Sequence, residues 1–427
     1  MKKRLRVGRR GFMTTAVGAA AFAWFRPQNE GGDYTPYFSS LNKELQGQGI
    51  SHPRLLLDLD SMDHNIDTIQ RSIMGAGAVS RTWRIVVKSL PSLELLEYVM
   101  RRANTNSLMG FHQPFLNQVA ERMPHADILL GKPLPVAALR AFYKQLSSAS
   151  TFNPESQIQW LIDSEHRLEQ YQTFAQQTGV RLNVSLELDI GLRRGGFPSS
   201  DQLMPVLKRI QDDPEHLQLG GFMGYEAFLA KLPGKQQRFQ RVVNTYKGLV
   251  AEGRSQYPSL FESDLTYNIA GSQTYVMYHD EPFFNDISSG SGVVMPTDFD
   301  MPSLKNHKPA AYIATPVLKK YDNVYLPGAE WASNVFAALN PNRQQAFYTY
   351  GGNWMAEYEN PPGLISNKIW GRSSNQEMVN ASARVKLSVD DFIFLRPKQS
   401  ETVFLQFGDL LPMRKGRLQQ AWRILEG

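Results

Sequence analysis

The 427-residue chain contains no cysteine. That excludes a disulfide framework, a thiolate nucleophile and any cysteine-ligated metal. Its eight histidines show neither HExxH nor any other paired-ligand spacing, which favours structural roles over a zinc centre. No serine sits in a G-x-S-x-G elbow, and no glycine-rich dinucleotide fingerprint follows the first apolar run. There is no internal repeat and no low-complexity tract. Net charge is small once located: the first 23 residues hold six of the 46 Lys and Arg and none of the 40 Asp and Glu, so the remainder is balanced. The basic character therefore belongs to the N-terminus, and no nucleic-acid partner is expected. An apolar content of 42% fits a soluble globular protein, and the length points to two domains.

What is present begins with an address. Lys2, Lys3, Arg4 and Arg6 form a basic region, and Arg9-Arg10-Gly11-Phe12-Met13 is a twin-arginine signature, with Gly8 where Ser or Thr is usual. Residues 14–25 are mildly apolar and too short to span a bilayer, and Ala21-Phe22-Ala23 offers a cleavage site. Residues 1–27 are expected to be a twin-arginine signal segment that directs a folded protein to the periplasm, leaving no stable membrane span. The alternative is a basic disordered tail.

Beyond a polar lead-in, short β-rich apolar runs recur at 55–60, 84–89, 107–111, 126–131, 158–163, 182–189, 217–225 and 265–270. Helix-like stretches separate most of them, at 61–73 (with Ser61 as N-cap), 93–103, 114–122, 136–146, 166–177, 201–210 and 236–251. This alternation predicts an α/β fold, a (β/α)8 TIM-like barrel over residues 50–284. An open doubly wound sheet is the alternative. After residue 280 the helical pattern stops and Pro, Gly, Asn and aromatics rise. Residues 285–427 read as a mostly-β C-terminal domain, with strands at 317–325, 345–350, 384–387, 392–395, 403–407 and 422–425 and a long loop at 351–380.

Chemistry-bearing residues cluster at the ends of the runs, which form the active face of a barrel. Lys88 ends Arg84-Ile85-Val86-Val87-Lys88-Ser89. A lysine there either snorkels to solvent or is held desolvated, where its amine becomes a nucleophile toward carbonyls. Asp58 and Asp60 end the first run and suit barrel stabilisation better than glycoside hydrolysis. Asp189 leads into Ile190-Gly191-Leu192-Arg193-Arg194-Gly195, and Gly224-Tyr225-Glu226 ends the seventh run. Two small-residue segments, Gly271-Ser272-Gln273-Thr274 and Ser288-Ser289-Gly290-Ser291-Gly292, suit a phosphate, because backbone amides and hydroxyls can approach an anion. Each segment alone is also compatible with a plain loop. Together they offer an amine, a cation, a phenol and two cradles, an inventory that fits pyridoxal 5'-phosphate (PLP).

At these residues the chain resembles the fold-type III PLP enzymes. The nearest group is the D-threonine aldolase and D-serine dehydratase-like enzymes, relatives of alanine racemase. Leu55-Leu56-Leu57-Asp58-Leu59-Asp60, Val87-Lys88-Ser89, Asp127-Ile128-Leu129-Leu130-Gly131-Lys132-Pro133, the Glu187–Gly195 segment, Gly221-Phe222-Met223-Gly224-Tyr225-Glu226, the Gly271 segment and Gly290-Ser291 occur in the family's order. The resemblance implies that Lys88 is the Schiff-base lysine. It implies that Arg194 contacts the cofactor ring region and that Tyr225 lines the ring and substrate space. Gly271, Ser272, Thr274, Gly290 and Ser291 would cradle the phosphate. It further implies an amino-acid substrate and a homodimer in which one subunit's second domain lies near the other's cofactor.

Two departures bear on the reaction. Gln399 and Glu401 stand where aldolase and dehydratase members place a His-x-Cys or His-x-Asp pair that binds a divalent metal. Their oxygens would suit Mg²⁺, Mn²⁺ or Ca²⁺, but Lys398 between them argues against a metal. Ala227-Phe228 replace a common Gly-His. Three readings result: a PLP lyase for a D- or β-hydroxy amino acid, a metal-independent amino-acid racemase, and a non-catalytic PLP or amino-acid binding protein.

Overall fold

The apolar runs between residues 82 and 289 close into an eight-stranded parallel barrel in the computed structural model, which describes residues 26–75, 80–262, 264–324, 328 and 330–427. Strand β1 (Arg54–Asp58) precedes the barrel. The barrel strands are β2 (Thr82–Val86), β3 (Ser107–Gly110), β4 (Asp127–Leu130), β5 (Ile158–Ile162), β6 (Leu182–Leu188), β7 (Leu217–Gly224), β8 (Thr266–Ile269) and β9 (Asp286–Ser289). Each pairs in parallel with its chain neighbour, and β9 returns to β2 through Thr82–Asp286 and Arg84–Ser288. Strands β5 and β6 are buried along their whole length; β5 reads as an almost continuous apolar run, whereas β6 alternates its apolar residues with Asn183, Ser185 and Glu187. Amphipathic helices cover them, among them Leu93–Ala103, Glu165–Thr178 and Ser200–Asp212. The side chains of Ser92 and Ser164 cap the first two of these.

Residues 55–311 and 397–427 form one compact unit, which holds the barrel. The described part of residues 1–54 forms the other unit with residues 312–396. In that second unit lie β10 (Ala311–Tyr321), β11 (Gln345–Thr349), β12 (Ala356–Asn360), β13 (Ile365–Ser366), β14 (Met378–Ala381) and β15 (Phe392–Pro397). They join in the order β13-β14-β11-β10-β15-β12. Helix Pro36–Gly47 lays Phe38 against Phe394 and Tyr312, with ring centroids 4.8 and 5.1 Å apart. In the barrel's unit the chain then adds β16 (Asp409–Arg414), which pairs in parallel with β1, and the short β17 (Arg417–Leu418) and β18 (Trp422–Arg423). No helix among the described residues is long and apolar enough to cross a membrane. Residues 1–25, which carry the twin-arginine pair, lie outside the described residues.

The architecture is the expected TIM-like barrel with a mostly-strand C-terminal sheet, but several element assignments change. The 55–60 run is not a barrel strand; it stops at Asp58, whose carboxylate takes the amides of Asp60 and Ser61 (3.0 and 3.1 Å) and starts helix Leu59–Met74. Asp58, not Ser61, is therefore the N-cap. Asp60 pairs with Arg414 at 3.1 Å. The eighth barrel strand is instead β9, whose Ser288-Ser289 reads as loop because it is polar and leads into glycines. Beyond residue 285, helix Glu330–Leu339 interrupts the expected all-strand pattern. The apolar 403–407 run is a helical turn, Glu401–Phe404, since so short a run carries no period. Residues 384–387 have no strand partner, and the short strands β12, β13 and β14 take up about a third of the supposed loop at 351–380.

Candidate active site

Strand β2 builds the site by alternation. Arg84 and Val86 point inward, and Lys88 follows two residues on, in the single 3-10 turn Val87–Ser89. Arg84 is 1% exposed and plugs the barrel interior. Its Nε donates to both Asp286 oxygens at 2.9 and 3.0 Å, Nη2 to Asp127 at 2.7 Å, and Nη1 to the carbonyls of Leu108 and Asp127. Above this ion-paired layer a cavity opens at the carboxyl ends of the strands. It holds about 620 Å³ of atom-free space, part of it open to solvent.

Lys88 lies on the wall of this cavity, its Nζ 4.8 Å from the centroid of the Phe111 ring. Across from β6, Asp189 Oδ1 accepts the amides of Gly191 (3.0 Å) and Arg193 (2.9 Å), folding the loop that delivers Arg194. Gly196 makes that fold feasible: at φ +92° a Cβ would come within 2.6 Å of the Glu187 carbonyl oxygen. The Arg194 guanidinium then sits 4.7 Å from the centroid of Tyr225. Burial raises the Tyr225 phenol, Glu226 and Glu401 raise it further, and Arg194 opposes them. Glu187, behind Arg194, is pushed up to about 7 by burial against the pull of that arginine.

Seven of the eight cofactor-site residues expected from the sequence line this one cavity: Lys88, Arg194, Tyr225, Gly271, Ser272, Gly290 and Ser291. Thr274 does not line it. It lies buried beneath the wall, where its hydroxyl accepts the Gly271 amide at 3.2 Å. Ser272 Oγ likewise accepts the amides of Gly290 (2.9 Å) and Gly292 (3.1 Å), tying the two small-residue segments together. Below them Glu226 is fully buried, accepts the Ala270 amide at 3.3 Å and is pushed up to about 7 by burial, partly offset by the Thr274 and Tyr278 hydroxyls.

The expected metal donors part company. Gln399 turns its amide to Asp298 Oδ2 at 3.1 Å. Glu401 instead lines the cavity, and its Oε1 accepts the hydroxyls of Ser89 (3.0 Å) and Ser291 (3.3 Å). Among the described residues no group of three or more His, Asp or Glu is arranged to hold a metal ion. This donor set does not fit one. Sequence reasoning missed Phe111 and the cavity role of Glu401. Phe111 ends its run as Lys88 does, so the same strand-end signal was there to find it; nothing local marks Glu401.

The cavity does fit PLP. A Cβ on Gly290 would stand 2.7 Å from Val86 Cβ, and one on Gly271 would stand 3.0 Å from Tyr225 Cε2, so bare backbone is required on this wall. Gly131 is similar, since a Cβ there would overlap the Phe111 ring. An ammonium, two aromatic rings and bare backbone beside two hydroxyls meet the needs of an aldehyde, a planar ring and a phosphate.

Residues 57–278 match the model of the alanine racemase N-terminal domain. Among curated proteins none matches the chain. Of the solved structures, D-threonine aldolase from Filomicrobium marinum is similar over 87% of this chain and 96% of its own, with 13% identity and a TM-score of 0.67. D-threo-3-hydroxyaspartate dehydratase from Delftia sp. HT23 matches over 88% and 98%, with 14% identity and a TM-score of 0.65. An alanine racemase of Clostridium difficile 630 matches over 87% and 98%, with 13% identity and a TM-score of 0.63. At these identities the structural likeness establishes the fold.

Proposed function

The chain belongs to the alanine racemase N-terminal domain family, and from that premise we propose that it is a PLP-dependent lyase acting on a D- or β-hydroxy amino acid. One observation carries the reading: Lys88, Arg194, Tyr225 and Glu401 line a single cavity at the carboxyl mouth of the barrel. The solved aldolase and dehydratase of similar fold support the lyase class.

Lys88 Nζ would hold the cofactor at its aldehyde carbon, between the Phe111 ring and the Tyr225 side of the cavity. Gly271, Ser272, Gly290 and Ser291 would face its phosphate. When bound, PLP supplies an electron sink for a bond broken at the substrate's Cα. Lys88 Nζ, once freed by the substrate amine, would take or return a proton on its face of Cα. Arg194, fixed over Tyr225, offers the guanidinium for the substrate carboxylate. Gln399 and Glu401 do not converge, so no step is assigned to a metal. Export through the twin-arginine route is part of the proposal; the coenzyme-bearing protein should appear in the periplasmic fraction, and an Arg9→Lys, Arg10→Lys variant should remain in the cytoplasm.

The purified protein should show a visible absorption band. Borohydride should fix the coenzyme on Lys88, and Lys88→Ala should lose both band and adduct. A reduced holoprotein with no adduct at Lys88 overturns the proposal. Chromatography of a D-amino-acid panel then separates aldehyde or keto-acid release, which the lyase reading expects, from inversion, which would make the protein a racemase.

A further inference from the structure

Three charged side chains line the cavity, Lys88, Arg194 and Glu401. Glu401 is held there by parts of the chain far apart in sequence. Ser89, next to Lys88, and Ser291, after β9, both donate to its Oε1, and Ser400 Oγ lies 3.4 Å from Ser291 Oγ. Among the described residues both hydrogen bonds to the carboxylate go to Oε1, and the residue lines the cavity. Its charge reaches the Tyr225 phenol on another wall.

Every amino acid brings one carboxylate on Cα. Lys88, freed by the substrate amine, has to be neutral to serve as the base at Cα, so Arg194 is the remaining cation on the wall, and the Cα carboxylate needs it. A carboxylate in the substrate side chain would then meet Glu401 with no cation to pair it, a like-charge juxtaposition in a half-enclosed site. A hydroxyl on Cβ would instead donate to Glu401, a hydrogen bond to a charged acceptor. We propose that Glu401 sets the substrate class: the site takes amino acids with a hydroxyl on Cβ and rejects those with a side-chain carboxylate. The inference rests on the proposed PLP function.

The test titrates the visible band of the wild-type holoprotein with four D-amino acids and reads Kd, without requiring turnover. D-asparagine should bind about 100-fold tighter than D-aspartate, and D-serine about 10-fold tighter than D-alanine. In Glu401→Gln, which can still accept from Ser89 and Ser291, the first ratio should fall below about 5-fold and the second toward unity. Equal binding of D-aspartate and D-asparagine by the wild type overturns the inference, and so do wild-type ratios that survive in Glu401→Gln. The wild-type comparison decides even if the variant does not fold. Absence of the band before any amino acid is added removes the PLP reading itself, a failure distinct from a band that does not discriminate.

Discussion

Glu226 links the stability of the barrel mouth to pH. Its carboxyl is fully buried under the Ala270–Thr274 loop and carries a pKa raised from 4.5 to about 7, chiefly by desolvation. In the unfolded chain the group ionises near 4.5, while the native state keeps its proton to about 7. Between those values the native state binds more protons, so stability falls as pH rises through the window and stays low above it. A shift of that size is worth about 3 kcal/mol at full ionisation. Glu226→Gln keeps a neutral side chain of the same shape at every pH. In urea titrations of the apoprotein followed by circular dichroism, wild type should lose about 2.5 kcal/mol more than Glu226→Gln between pH 5 and pH 8, since the unfolded group is already largely ionised at pH 5. Histidines and surface groups are common to both proteins and cancel in the comparison. Glu187, 6% exposed with a carboxyl also raised to about 7, adds a second loss of the same sign to both. If the two proteins show the same change from pH 5 to pH 8, Glu226 does not hold its proton in the native state and the reasoning fails.

Two further substitutions test the barrel beneath the site. Gly290→Ala drives a Cβ to 2.7 Å from Val86 Cβ and 3.0 Å from the Val86 carbonyl oxygen, so it should cost about 1–3 kcal/mol in urea unfolding and weaken PLP binding in a coenzyme titration. Unchanged stability and coenzyme affinity would show that this wall yields. Arg84→Met removes the cation between Asp127 and Asp286 and leaves both carboxylates without it, so unfolding free energy at pH 7 should drop by about 3–5 kcal/mol. A loss below about 1 kcal/mol would mean that the carboxylates find water or protons instead.

The barrel was legible because its signal is local. Seven of the eight barrel strands fall on short β-rich apolar runs, the helices carry their own period, and the strand-end rule drew attention to Lys88, Arg194 and Tyr225, which the structure brings to one cavity. Sheet membership was not local. The 55–60 run and β9 are both short, and composition favours the first, yet β1 pairs with β16 some 350 residues later while β9 closes the barrel. Glu401 shows the same limit at the site. Its partner Ser89 lies 312 residues away, so only tertiary structure could move it from a metal-donor reading to a wall of the cavity.

The inward-facing positions explain why a strand-end lysine here is more than a snorkelling side chain. On β2 the inward sequence runs Arg84, Val86, then Lys88; on β9 it runs Asp286, Ser288, then Gly290. The lower pair is a buried ion pair, and the upper positions line the cavity. Two residues along each strand thus change the interior from an ion-paired plug to an open site. The plug keeps the interior from continuing as a channel, and it joins strands β2, β4 and β9 through one guanidinium. A rigid floor of this kind fixes where Lys88 stands, because the turn that carries it begins directly above Arg84 and Val86. A coenzyme held there by a single covalent bond needs its anchor placed by the scaffold rather than by the coenzyme, and side chains locked by buried hydrogen bonds do that better than loop residues can.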